Sequence, residues 1–317
     1  AEGPKGKGKG KGVAGRGKGK GCSASAQWPP RQQDRRAARS GRRPSLPPVF
    51  DAAWCDARLA DLEAAETRGD ALAAVSGQAL QLSFDKAGTR LVQKALEVAD
   101  RETQDALLME LSGHMLEMVE SPHANYVPQQ IFNVVPAARL GAVIQEFECR
   151  AEHVARHRFG CRILNQLLAH CSKRPESAVI VDALLSKAGE LCHHTYAHHV
   201  IEAILEHTDD AQHKHRVYRA LLEDLLRTAQ HYHGGYVLKA AITHCSLGDV
   251  TSLCESLTDR VVEVTATRIG CHLYKELCEH PRVREQAVAA LATHAALLRQ
   301  RPESRRLVGR VLGEAAA

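Results

Sequence analysis

The chain has 317 residues, a formal net charge of +5, 44% hydrophobic and 25% charged residues, and ten cysteines. That is enough apolar material for a sizeable core, so disorder throughout is excluded, and no run is long enough to span a membrane. No Cys-x-x-Cys spacing occurs and no secretory signal is read, so the cysteines suit a reduced compartment rather than a disulfide framework.

The first fifty residues are a class apart. Gly-Lys alternation runs from Lys5 to Lys11, Arg16 to Lys20 follow, and a basic, Pro-containing run spans Arg31 to Pro48. Six Lys and seven Arg against Glu2 and Asp34 give this stretch a net +11, which leaves −6 for the rest of the chain. With little to bury, residues 1–50 are expected to be a disordered tail. Two roles stay open: an arm for RNA phosphates or nuclear import around Arg35-Arg36 and Arg42-Arg43, or a solubilising tail. The chain begins at Ala1 without Met, which leaves a longer N-terminus open.

From Val49 to Gly77 the apolar spacing turns helical, as in Ala57-Arg58-Leu59-Ala60-Asp61-Leu62. This stretch is expected to cap the helical units C-terminal to it, with Trp54 as part of the cap. Beyond it, one frame recurs: a small residue, a short side chain, a planar one, two apolar residues and a polar one. It reads Gly88-Thr89-Arg90-Leu91-Val92-Gln93, then Ala124-Asn125-Tyr126-Val127-Pro128-Gln129, then Gly160-Cys161-Arg162-Ile163-Leu164-Asn165. It returns at Ala197-His198-His199-Val200-Ile201-Glu202, Gly234-Gly235-Tyr236-Val237-Leu238-Lys239 and Gly270-Cys271-His272-Leu273-Tyr274-Lys275, and weakly at Ser304-Arg305-Arg306-Leu307-Val308-Gly309. The phase positions 89, 125, 161, 198, 235, 271 and 305 are spaced by 34 to 37 residues, the signature of a repeat protein.

Three helices are expected per repeat, as in Gly113 to Glu120, Ala124 to Val134 and Ala137 to Phe147 of the second. The third helix of the next repeat carries an apolar stripe of Val179, Val181, Leu184 and Leu185. A unit of this size cannot bury its own apolar faces. The expected fold is therefore all-α: a curved, armadillo-like solenoid of about 36-residue repeats over residues 51–317, six clear and one weak.

The first and last frame residues lie four apart, on one helix face, so each repeat is expected to show solvent two hydrogen-bonding side chains and a planar one. The planar slot holds Arg90, Tyr126, Arg162, His199, Tyr236, His272 and Arg306, all able to stack on a nucleobase. Packing between neighbouring repeats is the alternative use of such residues. Pro128 removes a backbone donor inside its helix, and a small kink that displaces Gln129 is expected.

This frame resembles the Pumilio/PUF repeat, over roughly Gly77 to Glu314. The resemblance implies that three residues of one helix read one RNA base per repeat. Asn125-Tyr126-x-x-Gln129 would select uracil, Thr89-Arg90-x-x-Gln93 adenine, and Cys161-Arg162-x-x-Asn165 adenine through a shorter arm. His198 with Glu202 is similar to the guanine trio in its Glu alone. Gly235 with Lys239, and Cys271 with Lys275, match no code, and such a Lys would meet a carbonyl or phosphate oxygen. Arg305 with Gly309 would close the array.

The resemblance implies single-stranded RNA on the concave face, antiparallel to the protein, read as 5′-A-U-A-3′ by the first three trios. It implies post-transcriptional regulation through mRNA 3′ untranslated regions, protein partners on the convex face, a monomer and a cytoplasmic location. A divergent nucleolar pumilio-like protein with little sequence choice is one alternative, and a protein-binding armadillo or HEAT-like scaffold without RNA is another. Neither a metal nor a cofactor is expected. Cys192-His193-His194, His198-His199, Cys271 and Cys278 fall mostly on repeat-phase positions, as His170, His207, His244 and His280 do at another offset. No nucleophile, base and orienter assemble from the pattern, so an enzyme is not expected.

Overall fold

The computed structural model describes residues 50–313, and they contain helices and no strand. The expected tail lies outside the described residues, apart from Phe50. The first repeat is built from helices Ala79–Phe84, Gly88–Val98 and Arg101–Leu111, and the same short, reading, outer order recurs down the chain. The reading helices are Gly88–Val98, Tyr126–Val134, Gly160–Cys171, Ala197–His207, Tyr232–His244, Arg268–Glu279 and Pro302–Leu312. Each packs against the next, so they form one continuous row, and the last repeat has no outer helix among the described residues.

The glycine that opens four of the frames has a steric cause. A Cβ on Gly88 would lie 2.5 Å from the Leu82 carbonyl oxygen, and one on Gly234 would lie 2.6 Å from that of Thr228. The reading helix thus starts against the backbone of the short helix before it. Four residues before each of the first six phase positions stands a side chain that accepts from the N–H of the small residue opening that frame. Asp85 does so at 2.8 Å, Ser121 at 3.0 Å, His157 at 3.4 Å, His194 at 3.2 Å, His231 at 3.3 Å and Thr267 at 3.0 Å. These acceptors satisfy helix-start donors that have no intrahelical partner.

The apolar pair of every frame enters one core that runs unbroken from Cys55 to Val308. Side chains one period apart also lock the repeats together. Glu110 accepts from the N–H groups of Gly77 and Leu80, and Glu146 repeats this on Gly113 and Met115 one unit later. Arg139 pairs with Asp105, and Arg216 with Asp182.

Three local expectations are corrected. Pro128 does not kink its helix: the helix begins at Tyr126, so Pro128 is its third residue, where an N–H would lack an intrahelical acceptor anyway. The third helix of that repeat opens as a 3-10 turn over Ala137–Arg139 and becomes α-helical only from Gly141. Val179 faces solvent, and Ile180 takes its place in the buried stripe. The N-terminal cap is two helices, Ala52–Glu63 and Arg68–Val75, and the first packs against Gly88–Val98 as one reading helix packs on another.

Candidate nucleic-acid interface

The row of reading helices exposes the planar slot in every repeat: Arg90, Tyr126, Arg162, His199, Tyr236, His272 and Arg306 are all exposed. Tyr126 and Tyr236 are 44% and 46% accessible although each sits beside buried apolar neighbours. Slot residues that packed between repeats would be covered. The stacking option is therefore physically open along the whole row.

The other two frame residues are not shown to solvent as a pair, which corrects the expected trio. The first slot is buried in four consecutive repeats, at Thr89, Asn125, Cys161 and His198. In three of them the side chain bonds a carbonyl three or four residues back, and Thr89 bonds one in the next repeat. Asn125 is 0% accessible. Its Nδ2 donates to the Ser121 carbonyl at 2.8 Å, and its Oδ1 accepts from Gln129 Nε2 at 3.0 Å. Thr89 Oγ1 donates to the His123 carbonyl at 3.0 Å, while Gln93 Nε2 donates to the Thr89 carbonyl at 3.0 Å. In both repeats the half-buried Gln is the outer member and the buried residue orients it. A base edge approaching the second repeat meets Gln129 first, with Asn125 behind it. Exchanging an internal hydrogen bond for one to a base changes the net energy by only about 1 kcal/mol.

In the third repeat, burial raises the Cys161 thiol above its ordinary range, so it stays a neutral, weak donor. Asn165 Oδ1 is enclosed without a hydrogen-bond partner. That unpaired acceptor fits the shorter arm read from the sequence: the amide stops short of the surface.

The fourth repeat departs more. Burial pushes His198 down to about 4, so it is neutral at pH 7, and its Nδ1 lies 2.8 Å from the His194 carbonyl. Nδ1 therefore carries the proton. Burial also raises Glu202, against a 3.2 Å contact to His199 Nδ1 that lowers it. His198 lies against the rings of His199 and His233, tilted by 37° and 31°, with centroids at 3.8 and 4.4 Å.

Farther on, Gly235 leaves open space where a first-slot side chain would stand. A cavity of about 340 Å³ opens there, walled by Tyr232, Tyr236, Ile269, His272 and Leu273. Both lysines expected to meet an RNA oxygen are already paired: Lys239 with Glu276 at 2.6 Å, and Lys275 with Glu279 at 3.2 Å. Arg305 Nε donates to the Arg299 carbonyl at 3.0 Å, which ties the last helix to the one before it.

Sequence reasoning missed the capping acceptors, although aligning the repeats four residues upstream of each phase position would have shown them. Trp54, read from the sequence as part of the cap, stands one period before Arg90. The ring is half-buried and stacked on Phe50 at 6.3 Å, as a cap residue would be.

Four stretches, residues 78–112, 151–185, 187–222 and 226–258, match the Pumilio-family RNA binding repeat. The chain thus carries repeats of this family. The matches leave out the repeat of Asn125 and everything beyond 258, where the frame carries no recognised code. The Puf4 RNA binding domain bound to the HO endonuclease RNA 3′ UTR recognition sequence is similar in fold, with a TM-score of 0.73 at 16% identity over 83% of this chain and 84% of that one. The Puf3 RNA binding domain bound to a Cox17 RNA 3′ UTR recognition sequence has a TM-score of 0.71 at 18% identity, covering 80% of each chain. The RNA-binding domain of yeast Puf5p bound to SMX2 RNA has 0.63 at 17%, over 74% of this chain and 68% of that one. No curated protein matches by sequence.

Proposed function

We propose that this protein binds single-stranded RNA along the row of reading helices and acts on mRNA through 3′ untranslated regions. The observation that carries the reading is the unbroken line of seven exposed planar side chains, one per repeat. Stacking is worth about 1–3 kcal/mol per base and tolerates any sequence. Base choice belongs to Gln93 over Thr89 and to Gln129 over Asn125, whose amides are already held in place, and favours 5′-U-A-3′ there with a weaker A before it. The family's repeats and the RNA-bound domains of like fold support the RNA partner.

The site is a binding surface and not a catalytic one. The protein acts as a monomer in the cytoplasm, and its outer helices are free to take protein partners. A second reading, RNA binding with little sequence choice in a nucleolar setting, is favoured by one observation: in the fifth and sixth repeats the first slot is empty or a neutral thiol and the last is an ion-paired lysine.

Titrating the full chain with short single-stranded RNA, double-stranded RNA and single-stranded DNA at fixed salt tests the proposal. Preference for single-stranded RNA, lost stepwise as Tyr126→Ala and Tyr236→Ala are combined, supports it. Absence of RNA binding would leave a scaffold of PUF fold.

A further inference from the structure

The fourth repeat offers its base-edge position in a form that suits a different ligand. One ring nitrogen each of His198 and His199 and one carboxylate oxygen of Glu202 lie within 4.8 Å of one another. We propose that these three side chains form a binding site for a divalent transition metal of the zinc class on the RNA-facing row.

The donor set fits. Two imidazoles and a carboxylate are what zinc and its neighbours take, in a three-ligand arrangement that keeps a further position open. All three come from one helix, at i, i+1 and i+4, so the backbone holds their spacing. Two ligand atoms on a tetrahedral zinc ion stand about 3.3 Å apart, given bonds of about 2.0 Å. His199 Nδ1 and Glu202 Oε2 are already 3.2 Å apart. The buried His198 has its tautomer set by the structure: Nδ1 faces the His194 carbonyl, which leaves the lone pair on Nε2. A metal-binding histidine almost always donates its other N–H to such a carbonyl.

A second observation points the same way. His233, from the next repeat, lies against the His198 ring with centroids 4.4 Å apart, and its Nδ1 is enclosed without a hydrogen-bond partner. It borders the site from the fifth repeat without being one of the three clustered ligands. The sequence set metal aside because Cys-x-x-Cys is missing; this ligand set needs no cysteine. Occupancy would also remove the Glu202 carboxylate from any base. That consequence rests on the RNA reading, while metal binding itself does not.

Cobalt(II) titration of the full chain, followed by visible d–d absorption and reversed with zinc, tests the site. One saturable equivalent is expected. His199→Ala and, separately, Glu202→Gln should weaken it at least about tenfold. Both side chains lie at the surface or half-buried, so the variants should keep the parent melting temperature without metal. Unchanged cobalt affinity in both variants, or no saturable uptake by the parent, overturns the proposal. RNA titrations of the metal-free protein report on the RNA reading separately.

Discussion

The first two repeats and the fifth and sixth use the same scaffold differently. At Thr89–Gln93 and Asn125–Gln129 a buried polar residue holds a half-buried amide at the surface. At Gly235–Lys239 and Cys271–Lys275 the first slot is vacant or a neutral thiol, and the last is a lysine held by a glutamate. The exposed planar residue is common to both regions. On the proposed reading, affinity and sequence choice are carried by different side chains, so one could be lost along the row while the other persists.

Four sets of substitutions probe this contrast. The largest effect should come from the shared scaffold. Gly88→Val and Gly234→Val each drive a side chain into a backbone carbonyl and should cost about 3 kcal/mol, read as a fall in urea midpoint. Similar losses at the two ends would show that both regions depend on the same close approach. A loss at one end alone would mean the scaffold is not shared.

Next, Tyr126→Ala and Tyr236→Ala should each weaken RNA binding by about 1–3 kcal/mol, whatever base faces them. Equal losses in both regions sustain the common stacking row. Loss at Tyr126 alone would confine RNA to the N-terminal repeats.

The helix caps respond to pH. Burial holds His157 below the ordinary imidazole range, and its Nδ1 accepts from Phe159 and Gly160. The unfolded chain then takes up a proton first, at about pH 6.5. This cap's contribution is full above that pH and falls on acidification toward the lower folded value. Urea unfolding of parent and His157→Asn between neutral and mildly acidic pH should show a shallower loss in the variant. Equal slopes would remove His157 as the cause. Asp85 and Ser121, its counterparts nearer the N-terminus, carry no such imidazole.

The smallest effect is expected at Lys239. Its pair with Glu276 is partly exposed and solvent-screened, so Lys239→Ala should change stability by about 0.5 kcal/mol or less. If RNA affinity falls sharply instead, the lysine leaves Glu276 to meet RNA, and the region is more engaged than the apo contacts show.

Much of the architecture was legible because each frame residue answers a separate physical demand. The small residue marks backbone contact at Leu82 or Thr228, the apolar pair marks the core, and the planar residue marks the exposed row. Burial of the first slot was not legible. Four-residue spacing places Asn125 and Gln129 on one face, but says nothing of the Ser121 carbonyl that draws Asn125 inward. Pro128 misled for a related reason: its cost depends on where the helix starts, and Asn125 starts it later than the repeat pattern implies. The Lys239 pair was hidden because Glu276 is off the frame and faces Lys239 only after the repeats stack, whereas Lys275 and Glu279 lie four apart on one helix.

Base choice, on this reading, resides in the N-terminal amide pairs. Fluorescence-polarisation binding of the full chain to RNA ending in A-U-A, with the U changed to each other base, puts that to the test. Each change should cost about 1–3 kcal/mol, the span of a good bidentate base contact, and the preference should vanish once Gln129→Ala is made. Equal affinity for all four bases in the parent, with Gln129→Ala indistinguishable from it, would refute a role for the amide pairs in base choice.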